Sequence, residues 1–184
     1  MSNRRAFLAG ATRLMASAAL PRTLAAFSVA ACAPNWRAQL FDESEMATLL
    51  ALVDVILPET DSPAASAAMT HRFIDTAAAA CATPEQQTVL RTGLSELNAE
   101  AQAQHQIGFA NISAEQQAAL LSARAEADMG LDYDQSFFKI LKDYTLTGYF
   151  LSETGATQAL AYEQVPGGYW GDLPLAPGQK AWAI

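Results

Sequence analysis

The sequence predicts an all-α protein, built as a compact helical bundle with an irregular C-terminal arm. Two segments begin with helix-start signatures, Thr83-Pro84-Glu85-Gln86 and Ser113-Ala114-Glu115-Gln116, in which a hydroxyl residue precedes a glutamine by three positions. Apolar residues elsewhere recur at spacings of three and four, the period of an amphipathic helix. The sequence has no sustained alternation of apolar and polar residues bounded by hairpin turns, the pattern that would indicate paired strands.

Residues 1–33 predict an export leader rather than a part of the fold. Arg4 and Arg5 precede Phe7, Leu8 and an alanine-rich apolar run, and this arrangement resembles a twin-arginine export signal. That route carries proteins that are already folded. We therefore expect a periplasmic protein that the twin-arginine translocase exports.

The leader ends near Cys32, where the sequence allows two kinds of processing. Val29-Ala30-Ala31-Cys32 resembles a lipoprotein box, in which the cysteine is acylated, whereas Ala31-Cys32-Ala33 fits ordinary cleavage. Whether Cys32 is acylated as the new N-terminus or the leader is cleaved in the ordinary way therefore stays open. In either case we expect a single helical domain over residues 34–184.

The first helix is predicted to open with Asp42-Glu43-Ser44-Glu45 and to be stopped by Pro58. Acidic residues in its first turn suit the positive end of the helix dipole, and a proline cannot continue a helix. Its predicted apolar face consists of Met46, Leu49, Leu50, Val53, Ile56 and Leu57. Residues 59–63 are then predicted to form a loop, because their side chains favour turns.

Three further helices are predicted between this loop and the central helix of the bundle. One covers residues 71–81, and the next runs from the Thr83 signature towards His105. The last of the three begins at Ser113 and ends near Gly130, where a glycine is a common helix stop.

The fifth helix is predicted to be central and largely buried. From Asp134 to Tyr149 the chain keeps helical periodicity with a broad apolar face, and a short helix is expected over residues 157–162. Beyond Glu163 the dense proline and glycine residues preclude long regular structure.

The predicted C-terminal arm is rich in aromatic side chains, namely Tyr162, Tyr169, Trp170 and Trp182. An arm with little secondary structure cannot form a core of its own, so these rings must lie on another surface. That surface is either the helices of this domain or a partner protein, and the sequence favours neither. Tyr and Trp are common anchors at interfaces because they bury much area with few rotatable bonds.

The predicted mature part is strongly acidic. Four of the 11 basic residues lie in the leader, so the rest of the chain carries seven basic residues against all 19 acidic ones. Phosphate groups are bound by clustered Lys and Arg. This charge therefore argues against nucleic acids and anionic lipid surfaces as partners.

The sequence offers no recognisable catalytic, cofactor-binding or metal-binding constellation. The only histidines, His71 and His105, have no second dedicated ligand at helical spacing. His71 is expected to form a local ion pair or hydrogen bond with Asp75, four residues away. Cys81 stands among alanines, and we expect it to be a buried and inert thiol.

Glu59 and Asp61 could be imagined as a pair of catalytic carboxylates. Paired acid and base groups, however, face each other across a substrate cleft, which two neighbours on one short turn seldom do. We therefore expect these two residues to contribute to a loop or an interface.

Three segments together resemble a known family, the gluconate 2-dehydrogenase subunit 3 family. They are Asp54–Ala65, which contains Ile-Leu-Pro-Glu-Thr-Asp-Ser-Pro, Leu146–Ala156, which contains Leu-Thr-Gly-Tyr-Phe-Leu-Ser-Glu-Thr-Gly-Ala, and Pro166–Tyr169. The resemblance spans about residues 40–183. Ala64 stands where many members have glycine, a departure that concerns loop flexibility.

The resemblance implies a non-catalytic small subunit of a periplasmic, membrane-associated flavoprotein dehydrogenase complex. Its partners would be an FAD-carrying large subunit of the glucose-methanol-choline type and a multihaem cytochrome c subunit with haem c. The small subunit would assist the folding and stability of the large subunit and lend it the export signal. FAD and haem would belong to the partners, with no cofactor in this chain.

The Pro58–Pro63 loop and the arm from Val165 onward are predicted to contact the large subunit, since irregular segments carry binding more often than packing. Glu59, Asp61, Tyr169, Trp170 and Trp182 are the predicted interface residues. The alternative is an independent helical lipoprotein that is tethered through Cys32 and acts as a binding module.

Overall fold

Five α-helices follow one another along the described chain. A computed structural model describes residues 36–165, 167–168, 174 and 176–183. The α-helices are α1 (Glu43–Ile56), α2 (Thr70–Cys81), α3 (Pro84–His105), α4 (Ala114–Ala127) and α5 (Phe137–Phe150). Short 3₁₀ helices lie at Ala65–Ala68, Phe109–Asn111 and Tyr133–Gln135, and a π-helix lies at Gly155–Ala159. One isolated bridge is the only β pairing among these residues, so the all-α prediction is confirmed.

Three of the α-helices begin at capping boxes, and two of these boxes are the predicted helix-start signatures. The Thr83 hydroxyl accepts a 3.2 Å hydrogen bond from the backbone N–H of Gln86, whose side chain accepts one in return from the Thr83 N–H. Ser113 and Gln116 form the same reciprocal box. Asp42 forms a third box at the start of α1. Each box satisfies backbone N–H groups that the first helical turn leaves unpaired.

The central position predicted for α5 is confirmed, since this helix contacts the other four α-helices. Its buried residues are Phe137, Ile140, Leu141, Thr145, Gly148 and Tyr149. The helix begins at Phe137 rather than near Asp134, because Ser136 caps it by accepting a hydrogen bond from the backbone N–H of Lys139. The preceding residues form a separate 3₁₀ turn at Tyr133–Gln135.

Two glycines allow α5 to approach its neighbours closely. A Cβ atom at Gly93 of α3 would lie 2.2 Å from the ring of Phe137, and one at Gly148 of α5 would lie 2.4 Å from the ring of Phe73 on α2. Phe137 is fully buried, whereas Phe73 is 37% exposed. The contact between Gly93 and Phe137 therefore lies inside the core, and the contact between Gly148 and Phe73 lies at the edge of the core.

The buried carboxylate of Asp75 on α2 fixes the chain that leads into α1. It accepts hydrogen bonds from the backbone N–H groups of Gln39, Leu40 and Phe41, at 2.7, 3.0 and 3.0 Å. The predicted pairing of Asp75 with His71 is therefore wrong. The carboxylate is turned towards three backbone donors that lie more than 30 residues away in the sequence.

Three further local predictions are wrong. Cys81, predicted to be buried, is exposed because it lies in the last turn of α2. Leu50, predicted on the apolar face of α1, is 41% exposed, since Thr48 and Leu52 share the buried face instead. The short helix predicted over residues 157–162 is the π-helix Gly155–Ala159, which begins earlier and ends sooner.

Candidate functional site

The segments Asp54–Ala65 and Leu146–Ala156, which carry the family resemblance, meet in space. The Tyr149 hydroxyl donates a 2.7 Å hydrogen bond to the carbonyl oxygen of Pro63, across 86 positions of sequence. Tyr149 is 2% exposed, and its ring stands edge-on to Phe150 with ring centroids 5.2 Å apart. The two motifs therefore form one structural unit at the end of α5.

The loop after α1 is closed by its own hydrogen bonds. The Ala65 N–H donates to the carbonyl oxygen of Leu57 at 3.1 Å, and the Thr60 N–H donates to that of Ser62 at 3.0 Å. The Asp54 carboxylate holds the next turn by accepting from the Ser66 N–H at 2.7 Å. These hydrogen bonds hold the loop in one defined conformation.

The second motif shapes the turn that follows α5. The Ser152 hydroxyl donates to the carbonyl oxygen of Tyr149 at 2.6 Å and accepts from the Gly155 N–H at 3.0 Å. A Cβ atom at Gly155 would lie 2.0 Å from that same carbonyl oxygen, so only glycine fits there. Ser152 and Gly155 therefore have a structural role in this turn.

The end of the described chain returns to this unit. The Ala161 N–H donates to the carbonyl oxygen of Ala181 at 2.8 Å, and the Ala183 N–H donates to that of Ala161 at 2.9 Å. The Lys180 ammonium group donates to the carbonyl oxygen of Gln158. These bonds hold Trp182 beside the end of α5.

These three segments form the walls of an open apolar groove, which we call the motif groove. The groove has two lobes. The arm lobe, with a volume of about 440 Å³, is lined by Leu146, Thr147, Phe150, Leu151, Leu160 and Trp182. The loop lobe, of about 470 Å³, is lined by Leu57, Pro58, Thr60, Ser62, Pro63, Tyr149, Phe150, Ala159, Leu160 and Ala181. Phe150 and Leu160 line both lobes, so the lobes are direct neighbours.

The predicted interface residues that the structure describes lie around the motif groove. Glu59 and Asp61 are exposed on either side of Thr60, which lines the loop lobe. Trp182 lines the arm lobe and is still 57% exposed, so its ring rests on this domain's own helices while one side stays accessible. Tyr169 and Trp170 lie outside the described residues.

The residues of the predicted export leader also lie outside the described residues. They are Arg4, Arg5, Phe7, Leu8 and Cys32. Their predicted roles therefore remain predictions.

Sequence reasoning missed several residues of the groove. One of them is Leu151, which lines the arm lobe and is 68% exposed. The signal that could have found them is a second apolar row on α5, Leu146 and Phe150 at a spacing of four, on a different side from the buried Ile140 and Leu141. Leu151 follows the last helical residue and lies four positions after Thr147, which also lines the arm lobe.

His71 is half-buried in the first turn of α2. Its Nδ1 atom is buried without a hydrogen-bond partner in the described structure. Burial lowers the pKa of its imidazole below 6.5, the neighbouring Arg72 lowers this pKa further, and Asp54 opposes the shift. Within the described ranges, no three His, Cys, Asp or Glu residues lie close enough together to hold a metal ion.

No helix in the described part of the chain combines the length and the apolar character that crossing a membrane requires.

The fold and the groove define an all-α protein whose sequence motifs build an accessible apolar surface. The family model for gluconate 2-dehydrogenase subunit 3 matches residues 43–167, about two thirds of the sequence. The chain therefore belongs to the gluconate 2-dehydrogenase subunit 3 family, whose name describes a subunit of a dehydrogenase complex. No curated protein and no solved structure matches the chain.

Proposed function

We propose that this chain is the non-catalytic small subunit of a periplasmic FAD-dependent dehydrogenase complex. The observation that carries the proposal is the family match over residues 43–167, which includes the two segments joined by Tyr149 and Pro63. The large subunit would be a flavoprotein of the glucose-methanol-choline type. It would hold the FAD and oxidise a sugar or sugar acid, and a multihaem cytochrome c subunit would accept the electrons.

The role of this chain in the complex is to support the large subunit by surface contact. An accessible apolar groove on a rigid helical scaffold can shield apolar surface on a partner, which stabilises the partner's folded state by mass action. The test is to produce the large subunit with and without this chain. We expect soluble, FAD-loaded large subunit only when the two are produced together, and equal yields in both cases would contradict this role.

The export role rests on the twin-arginine-like leader. A large subunit that folds around FAD in the cytoplasm needs an export route for folded proteins, and a small subunit bound to it can supply the signal. Replacing both Arg4 and Arg5 by Lys should leave both subunits in the cytoplasm. Independent export of the large subunit in that variant would refute the shared signal.

Association of the complex with the membrane would come from a partner subunit or from a lipid on Cys32. Cys32→Ser distinguishes these sources, because it removes the acylation site and leaves the partner contacts intact. Release of the complex from the membrane fraction would assign the anchor to the lipid. Unchanged fractionation would assign it to a partner.

A further inference from the structure

The floor of the motif groove is apolar, and no described residue that lines it carries a charged side chain. Among the described residues that line it, polar groups are found on Thr60, Ser62, Thr147 and the indole N–H of Trp182, and on Tyr149, whose hydroxyl is already bonded to Pro63. A charged group placed on such a floor would lose its hydration without gaining a partner. The centre of whatever occupies the groove is therefore apolar.

The rim of the groove, in contrast, is acidic. Exposed carboxylates lie in two of the three wall segments, at Glu59 and Asp61 in the loop and at Glu153 after α5, and Glu163 lies two residues after Ala161, which is bonded to the end of the described chain. The single basic residue in these described wall segments is Lys180, and its ammonium group is bonded to a backbone carbonyl. The rim therefore carries an excess of negative charge that attracts Lys and Arg side chains.

This charge pattern decides among the possible occupants. An anionic lipid surface would be repelled by the acidic rim. A second copy of the chain would bring the same acidic rim against itself in a symmetric contact. A polypeptide segment with an apolar centre and basic flanks satisfies both the floor and the rim.

We propose that the motif groove docks an apolar segment of the flavoprotein large subunit that is flanked by Lys or Arg residues. The proposal rests on the proposed function for the identity of the partner and adds the binding surface and the chemistry of the bound segment. Leu151 and Trp182 are its exposed apolar anchors, at 68% and 57% exposure. Glu59 and Asp61 supply the nearest acidic contacts on the loop side.

Site-specific crosslinking tests where the partner binds. The photoreactive residue p-benzoylphenylalanine replaces Leu151 in the full-length chain, produced together with the large subunit. The matched control carries it at Glu100, which is exposed on α3 and lines neither lobe. Circular dichroism confirms the fold of both variants, and mass spectrometry identifies the linked peptide.

We expect position 151, and not position 100, to crosslink to a large-subunit peptide with an apolar centre and basic flanks. A crosslink from position 100 alone, with the complex intact, would contradict docking in the groove but would leave the proposed function standing. A crosslink to a second copy or to the chain's own arm would also overturn the groove. Absence of any complex with a flavoprotein would overturn both proposals.

Charge reversal tests the rim separately. The variant Glu59→Lys/Asp61→Lys should lower the association rate with the large subunit by about tenfold at low ionic strength, and added salt should shrink the difference. The control Glu100→Lys/Glu126→Lys changes the net charge equally, at exposed positions outside the groove. Equal effects of the two variants would show that only net charge matters, which would contradict a specific acidic rim.

Discussion

The Tyr149 hydroxyl, in the last turn of α5, donates a 2.7 Å hydrogen bond to the carbonyl oxygen of Pro63 in the loop after α1. This bond joins the two sequence segments that carry the family resemblance. The motifs are therefore parts of one surface, and the loop that bears Glu59 and Asp61 is held at a fixed position on the central helix. Several measurable consequences come from this arrangement and from the packing beneath it.

Tyr149→Phe removes the hydroxyl and leaves the Pro63 carbonyl oxygen without its donor. We expect the free energy of unfolding to fall by about 1 kcal/mol, the usual net value of such a bond. Urea denaturation measures the change. Tyr162→Phe is the control, because Tyr162 is exposed and should give a change near zero. Equal stability of Tyr149→Phe and the unmodified protein would show that the bond does not hold the loop.

Gly93→Ala should destabilise the bundle by overpacking. The added methyl group would meet the fully buried ring of Phe137 at 2.2 Å, and such crowding costs about 1–3 kcal/mol. The gain of about 1 kcal/mol in helix propensity offsets only part of this cost. Thermal unfolding should rank Gly93→Ala below Gly148→Ala, whose neighbour Phe73 is partly exposed and can move aside. The reverse order would contradict the packing described for α3 and α5.

Gly130→Ala is the matched control for the glycine series. A Cβ atom there would have no neighbour within 4 Å, so the substitution should be neutral or slightly stabilising. A loss as large as that of Gly93→Ala would mean that the measured effects come from the backbone rather than from crowding.

Asp75→Asn should loosen the segment that leads into α1. An amide offers one acceptor oxygen, and its NH₂ group would face backbone N–H donors, so at least one donor among Gln39, Leu40 and Phe41 loses its partner. We expect a loss of about 2–3 kcal/mol in the free energy of unfolding, because hydrogen bonds to charged groups are strong. Amide hydrogen exchange at these three residues should accelerate. Asp132→Asn, at an exposed position without a capping bond, should change neither measurement.

The lowered pKa of His71 predicts a pH dependence of stability. Since burial holds the folded-state pKa below 6.5, the unfolded chain binds more protons than the folded protein once the pH falls below that value. The stability that neutral His71 contributes is therefore complete above pH 6.5 and is lost as the pH falls towards the folded-state pKa. Stability should drop less steeply in His71→Gln than in the unmodified protein. An imidazole pKa at or above 6.5, measured by NMR titration, would contradict this prediction.

The sequence predicts the helices well where the determinants are local. The capping boxes at Thr83 and Ser113 require residues only three positions apart, so their starts could be read directly from the chain. The central role of α5 also follows from its broad apolar face. The predicted start of α5, near Asp134, lies before the observed start at Phe137, because a separate 3₁₀ turn at Tyr133–Gln135 precedes the helix.

The wrong predictions for Asp75 and Cys81 depend on how distant parts of the chain pack together. Asp75 could have paired with His71 on the same helix, but three backbone donors more than 30 residues away compete successfully for its carboxylate. Cys81 reads as a buried small residue among alanines, yet its place in the last turn of α2 leaves it exposed. Periodicity in one helix does not show which end of that helix the bundle covers.

The motif groove was only partly predictable. The sequence indicated Glu59, Asp61 and Trp182 because irregular segments and aromatic residues often serve binding. The sequence did not indicate Leu151 or the neighbouring position of the two lobes, since the groove is assembled from three segments that lie far apart in the sequence. Their meeting depends on the bonds between Tyr149 and Pro63 and between Ala161 and Ala181.

Native mass spectrometry of the exported full-length chain, isolated without denaturant from cells that also produce its proposed partners, tests the central claim most directly. The account predicts a complex in which this chain is bound to a larger polypeptide that carries FAD. A lone chain at or below 19.6 kDa, with no flavin and no second polypeptide, would contradict it.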